Sequence, residues 1–339
     1  MIYNAPNVPN HNSSGTQQVQ SLAPTPHELS QNNLGDAFKT LLLRQYLQGI
    51  VNKNEQALVT TGVSVMDLQT NQSIYGHNLD TEHFAASVNK VPVAALILSD
   101  LRNGTLQFNQ ELTWQASDVR AGAGVYDQPG APTHATIQQL LFDLLNPSGN
   151  TAVRVLVNQG MGGAVAVNTR FANELHLQHT ALQPLDGTRF YVGNTTAREA
   201  MQNIRTLLSG NDQYQQFVKN ALATNIYTDY GVRTQLMGND FIVLANKVGI
   251  LDDPDTGNDR HDVGVIYNSK THKAYAYAFL NTAFGEPYNT ATAQAGISLA
   301  DMGKGVLRYA GDKPTPTYST NDAKALTLHN APESKRIKY

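Results

Sequence analysis

Two groups of strand-like segments stand far apart in this chain, and the stretch between them reads mostly as helix. ALVTTGVSVMDL and QSIYGHN carry strand patterning and are joined by the polar turn QTNQ, which predicts a hairpin. A second group, FIVLANKVG, DVGVIYN and AYAYAFLN, begins only at residue 241. Between them come FAASVNKVPVAALILSDL, TIQQLLFDLL, NTAVRVLVNQG, TAREAMQNIRTLL and YQQFVKNAL. Strands so divided can share one antiparallel sheet only if the insert folds as its own lobe beside it. Helical patterns also open and close the body, in GDAFKTLLLRQYLQGIVNK and TAQAGISLADMGKGVLRYA. The expected fold is therefore α/β, in the two-lobe α+β sense. A five-stranded antiparallel sheet is flanked by N- and C-terminal helices, and an all-helical lobe is inserted between strands 2 and 3. A ligand cleft is expected where the lobe meets the sheet edge.

Residues 1–33 are rich in Asn, Gln, Ser, Pro and Thr and lack apolar periodicity, so they read as a disordered leader. Residues 313–339 read as a similar tail. The sheet lobe is assigned to 34–84 plus 236–312, and the helical lobe to 85–235. With 339 residues, 41% of them hydrophobic, the body can bury a substantial core. The formal net charge of -3 argues against nucleic-acid binding, which needs a basic surface. The absence of cysteine excludes disulfides, thiolate metal sites and a cysteine nucleophile. No apolar run is long enough to span a bilayer, and MIYNAPNVPN has neither the basic nor the apolar region of a signal peptide.

Three short clusters carry chemistry. Ser87-Val88-Asn89-Lys90 lies at the start of the apolar helix, and a spacing of three puts Ser87 and Lys90 on one helix face. A serine hydroxyl attacks only when a base takes its proton. Lysine can be that base if burial and a helix N-terminus lower its pKa towards neutrality. The alternative is a helix-capping serine followed by a surface lysine. Ser148-Gly149-Asn150 precedes another helix, where it either caps that helix or lines the cleft. Lys247-Val248-Gly249 ends the strand FIVLANKVG. There Lys247 either adds positive potential for a substrate carboxylate or protects a sheet edge, and Gly249 lets a substrate backbone come close.

The order S-x-x-K, S-x-N, K-x-G is the signature shared by class A β-lactamases and penicillin-binding proteins. Over about residues 55–310 the sequence resembles the class A β-lactamase family. GVSVMDLQTNQSIYGHN is similar to its first hairpin, SGNTAVRVLV to its second motif and helix, and NTTAREAMQNIRTLL to the segment after its omega loop. The resemblance implies that Ser87 is the nucleophile and Lys90 its base. It implies that Ser148 relays the proton, Asn150 binds the substrate amide, and Lys247 supports Ser148 and the substrate carboxylate. The backbone N–H groups of Ser87 and Ile250 would form the oxyanion hole. No cofactor is implied. The implied substrates are a β-lactam or a peptidoglycan stem peptide, the expected state a monomer, and the expected location the cell surface or outside the cell.

Three departures qualify those roles. Gly149 stands where the family has Asp, and Val248 where it has Thr or Ser, so Arg260 or Arg233 is a candidate to bind the carboxylate. The loop LQHTALQPLDGTRFYVGNTT contains no Glu, the residue that activates the deacylating water in class A enzymes. Aligning Thr180-x-Leu182 with the family's T-x-L places Asp186 at that position, one methylene shorter. Tyr126 is a candidate stacking wall for the cleft. The outcomes left open are a β-lactamase, a D,D-peptidase-like enzyme, a sensor that holds its acyl group, and an inactive interaction domain.

Other signals are set aside. Gly122 and Gly124 lack the strand–turn–helix setting of a dinucleotide site. His176 and His179 lack a third metal ligand. Asp253, Asp255 and Asp259 lack the ligand spacing of a calcium loop.

Overall fold

The computed structural model describes residues 34–186, 189–191, 193–236, 241–253, 257–285, 289–311 and 313. Helix α1 (Leu34–Gln56) leads into strands β1 (Val59–Asp67) and β2 (Ser73–His77). A short strand β3 (Glu82–Phe84) and a 3-10 turn (Ala86–Asn89) precede helix α2 (Lys90–Asn103). Strands β4 (Glu111–Thr113) and β5 (His134–Thr136) come before helices α3 (Ile137–Leu145), α4 (Asn150–Val155) and α5 (Ala164–Glu174). Strands β6 (Gln183–Asp186), β7 (Arg189–Tyr191) and β8 (Asn194–Thr196) are followed by helices α6 (Ala197–Leu208) and α7 (Gln213–Ala223). The chain then forms β9 (Ile242–Asp253), β10 (Gly257–Asn268), β11 (Ala274–Ala283) and helix α8 (Thr290–Ala310).

The five long strands form one sheet in the order β2-β1-β11-β10-β9. Every neighbouring pair is antiparallel, with Val63 opposite Phe279 and Lys247 opposite Val263. The strands separated in sequence do meet, because β1 pairs with β11 across the whole insert. On one face, Leu43, Leu47 and Ile50 of α1 and Leu299, Met302 and Val306 of α8 pack with Val63, Ile266 and Phe279. On the other, Ala200, Met201 and Ile204 of α6 pack with Val263, Ala276 and Ala278 in a core that continues through α2 to α3 and α4.

Helix α2 is buried on all sides, which explains its unbroken apolar sequence. Each fully buried Leu or Ile there contributes about 1.5–3 kcal/mol. It stops at Gly104, whose φ of 76° is the left-handed conformation that ends a helix. The insert is not purely helical. It holds the ribbons β4–β5 and β6–β7, and β8 of the insert pairs with β3. These strands are three or four residues long, too short to show a period of two. No helix among the described residues is long and apolar enough to cross a membrane.

Candidate active site

Ser87 lies in the 3-10 turn that runs into α2, and its side chain is nearly buried. Tertiary contacts fix this turn from several sides. The Ala85 N–H donates to Gly193 O at 2.7 Å, and a ring nitrogen of His261 on β10 hydrogen-bonds Phe84 O at 2.8 Å. The amide of Asn89, between Ser87 and Lys90, donates to both Ala181 O and Asn194 O at 3.1 Å. Ala86 is held at φ 44°, a strained conformation for a residue with a Cβ. Strand β9 presses against the same turn. A Cβ on Gly249 would lie 3.2 Å from Val88 Cγ1 and 3.3 Å from Ala85 O. Gly249 therefore makes room for the turn that carries Ser87, where the sequence suggested room for a substrate backbone.

Lys90 is completely buried, so it is not the surface lysine of the alternative reading. Its Nζ donates to Ser148 O at 2.6 Å, Ser148 Oγ at 3.1 Å and Asn150 Oδ1 at 2.8 Å. These take all three donors of an ammonium group, and no hydrogen bond joins Lys90 Nζ to Ser87 Oγ among the described residues. Burial pushes the Lys90 pKa down to about 8, against the opposing pull of Asp127 and Asp143. The neutral amine has one donor fewer and a lone pair, which is the form that can accept a proton from Ser87.

Lys247 reaches the same oxygen from the sheet. Its Nζ donates to Ser148 Oγ at 2.8 Å and Val248 O at 2.9 Å, and lies 5.8 Å from the centre of the Tyr227 ring. Burial, and then repulsion by Lys90, hold its pKa well below the usual lysine value. With two lysines donating to its two lone pairs, Ser148 Oγ keeps its own O–H to give away.

Neither Ser148 nor Asn150 serves as a cap for α4. The cap position is Gly149, and it makes no side-chain cap bond. Asp127 does that work from a distant turn: it accepts from the Asn150 N–H at 3.0 Å, the Thr151 N–H at 2.8 Å and the Gly124 N–H at 2.9 Å. Asp143, on α3, accepts from the Val125 N–H at 2.6 Å. Burial raises the Asp143 pKa to about 6, and its Oδ2 has no partner among the described residues. Sequence reasoning missed both acids, because their partners are backbone groups brought together only by folding. Ser148 itself sits at φ 68°. Asn150 donates to Ala121 O at 2.8 Å and retains one N–H for a ligand.

A family model described as "Beta-lactamase enzyme family" matches residues 42–320. The chain belongs to the β-lactamase enzyme family. Its fold is similar to that of a β-lactamase from Sphaerobacter thermophilus DSM 20745, with a TM-score of 0.66 and 20% identity over 80% of this chain and 98% of that one. A class A β-lactamase from Mycobacterium abscessus gives a TM-score of 0.64 at 20% identity, over 78% of this chain and 99% of that one. A PBP-A mutant, captured as an acyl-enzyme complex with penicillin G, gives 0.64 at 16% identity, over 80% and 97%. No curated protein matches the sequence.

Against this β-lactamase-family frame, two candidates for carboxylate binding are otherwise engaged. Arg260 donates to Leu251 O at 3.0 Å and Asp259 O at 2.9 Å, and forms an ion pair with Asp252. Arg233 donates to Ala223 O, Leu222 O, Leu244 O and Asn246 Oδ1, pinning the turn before β9. Each guanidinium serves the fold around β9, a role the sequence could not distinguish from substrate binding. Tyr126 is buried edge-on against Trp114, with ring centroids 5.4 Å apart, so it belongs to the core, while its neighbour Val125 is 61% exposed. Ile250 follows Gly249 on β9, beside the turn that carries Ser87.

The backbone of Asp186 ends β6, opposite Arg189. Its side chain lies outside the described residues. The start of this loop is anchored by Glu199 on α6, another residue missed in the sequence. Glu199 accepts from the Gln178 N–H at 2.7 Å, the His179 N–H at 3.1 Å and Thr180 Oγ1 at 2.6 Å. Asn168 adds a reciprocal pair with Leu182, at 2.7 and 2.8 Å.

Proposed function

We propose that the protein is a serine hydrolase that forms an acyl-enzyme at Ser87 with a β-lactam or a D-Ala-D-Ala-like amide. The observation that carries this reading is the convergence of Lys90 Nζ and Lys247 Nζ on Ser148 Oγ, with Ser87 three residues before Lys90. In this scheme neutral Lys90 takes the Ser87 proton as Oγ attacks the carbonyl carbon. Negative charge develops on the carbonyl oxygen, facing the N–H groups of Ser87 and Ile250; one such donor is worth about 10²–10³ in rate. Ser148 gives its proton to the departing nitrogen, and Lys90 restores it through the 3.1 Å contact. Asn150 offers its remaining N–H to the acyl side chain.

Hydrolysis of the ester needs an activated water. The segment 178–196 has no Glu, and Asp186 is the carboxyl that alignment places there. Asp186 is the proposed but less effective base, so the acyl-enzyme is long-lived. The preferred reading is thus a β-lactamase-like serine hydrolase with slow deacylation, and a D,D-peptidase-like enzyme or an acylated sensor is the alternative. Work on wall peptides or their antibiotic mimics goes with a location at or outside the cell surface and with a monomer.

A chromogenic cephalosporin assay read together with intact-mass spectrometry tests the proposal. One equivalent of covalent adduct with slow colour is expected, and none in Ser87→Ala. An adduct that persists in Ser87→Ala removes Ser87 as nucleophile.

A further inference from the structure

The backbone at position 149 does not require glycine. Its φ of -56° and ψ of 127° are open to any residue, and the N-cap position it occupies favours Asp. A neighbour bars the side chain instead. A Cβ built on Gly149 would lie 1.9 Å from Asp143 Oδ2 and 2.8 Å from Asp143 Cγ, whereas the next atom, Ala152 Cβ, is at a tolerable 3.3 Å. The Asp143 carboxyl thus fills the space immediately beside the Cα of the middle residue of the second motif. Gly124, whose Cβ would fall 2.6 Å from the same oxygen, closes that space from the other side.

We propose that Asp143 is a positioning residue that supplies, from the preceding helix, the carboxylate that the second motif lacks at 149, so that positions 143 and 149 accommodate one acid between them. From 143 the carboxyl lies beside the Gly149 Cα and binds the facing turn at Val125, while the Asp143 main chain binds Gly149. Oδ1 holds the Val125 N–H, the Gly149 N–H donates to the Asp143 carbonyl at 2.7 Å, and the negative charge acts on Lys90. Asp143 makes no hydrogen bond to Ser87 or Lys90; its carboxyl packs against Gly149 and fixes Val125, and so it acts on Ser148 and Asn150 through the backbone between them. The inference rests on the acyl-enzyme reading above for its kinetic consequences and on geometry alone for its structural ones.

A swap of the acid tests it. Gly149→Asp, Asp143→Ala and the double variant are compared with the parent by the rate of adduct formation and by thermal midpoint. Gly149→Asp alone sets two carboxyls in one space, and acylation is expected to fall about tenfold or more. Asp143→Ala also lowers acylation. The double variant is expected to return to within about threefold of the parent and to melt about 4 °C or more above Gly149→Asp. Strictly additive losses in both measurements overturn the proposal. Asp143→Asn keeps the shape and removes the charge, and the rise of acylation with pH should then begin at lower pH, which a purely structural residue would not cause. An unmoved pH profile in that variant removes the electrostatic part. If the parent forms no adduct, the acyl-enzyme reading fails by itself, and the melting comparison still decides whether 143 and 149 are coupled.

Discussion

Lys90 Nζ and Lys247 Nζ, one from a helix and the other from a sheet edge, both donate to Ser148 Oγ, at 3.1 and 2.8 Å. Two buried ammonium groups this close repel, and burial disfavours both charges. The repulsion falls on Lys247, whereas burial alone brings Lys90 down to about 8, the value that suits the base proposed for Ser87. Acylation should rise about tenfold per pH unit below that value and level off above it. Second-order acylation rates from pH 5 to 10 measure this, and a flat profile would remove Lys90 as the base. The same shift acts on stability. Between about 8 and 10.5 the unfolded chain binds the Lys90 proton more tightly than the folded one, so this group adds stability as pH rises through that window.

Glu199 gives a prediction about the loop. Its carboxylate accepts from two backbone N–H groups and one hydroxyl in a buried setting. Glu199→Ala leaves those donors unsatisfied and should cost about 2–4 kcal/mol in urea unfolding. Amide exchange at 178–182 should accelerate in the same variant. A loss under about 0.5 kcal/mol, typical of a surface change, would show that the loop is anchored elsewhere.

Val248 gives a prediction about substrate choice. Arg260 and Arg233 are committed to the fold, and the strand offers an aliphatic side chain where the family has a hydroxyl. Val248→Thr should raise the preference for a penicillin acid over its methyl ester by about tenfold, the value of one charge-assisted hydrogen bond. The ratio of acylation rates for the two compounds reads it directly. An unchanged ratio would place carboxylate recognition away from β9.

Much of this architecture was legible because it is local or ordered. Ser87 and Lys90 lie within one helical turn, and the apolar sequence after them marks a buried helix. Ser148 and Lys247 were identified by the order of their motifs on elements whose periodicity could be read. Asp127, Asp143 and Glu199 were not, since each binds backbone N–H groups that leave no trace in the sequence. The structural partner of Arg260 was hidden for a related reason. Its partner Asp252 faces it only once β9 and β10 pair in register, with Ile250 opposite Arg260. The three-residue strands of the insert escaped notice because they are stabilised by their partners and show no pattern of their own.

Asn89 ties Ala181 and Asn194 to the turn that bears Ser87, using both hydrogens of one amide. That single side chain makes the two ends of the intervening hairpin move with the helix beneath them. On the proposed acyl-enzyme reading, an acyl group that pushed these hairpin ends outward would pull through Asn89 on its own point of attachment.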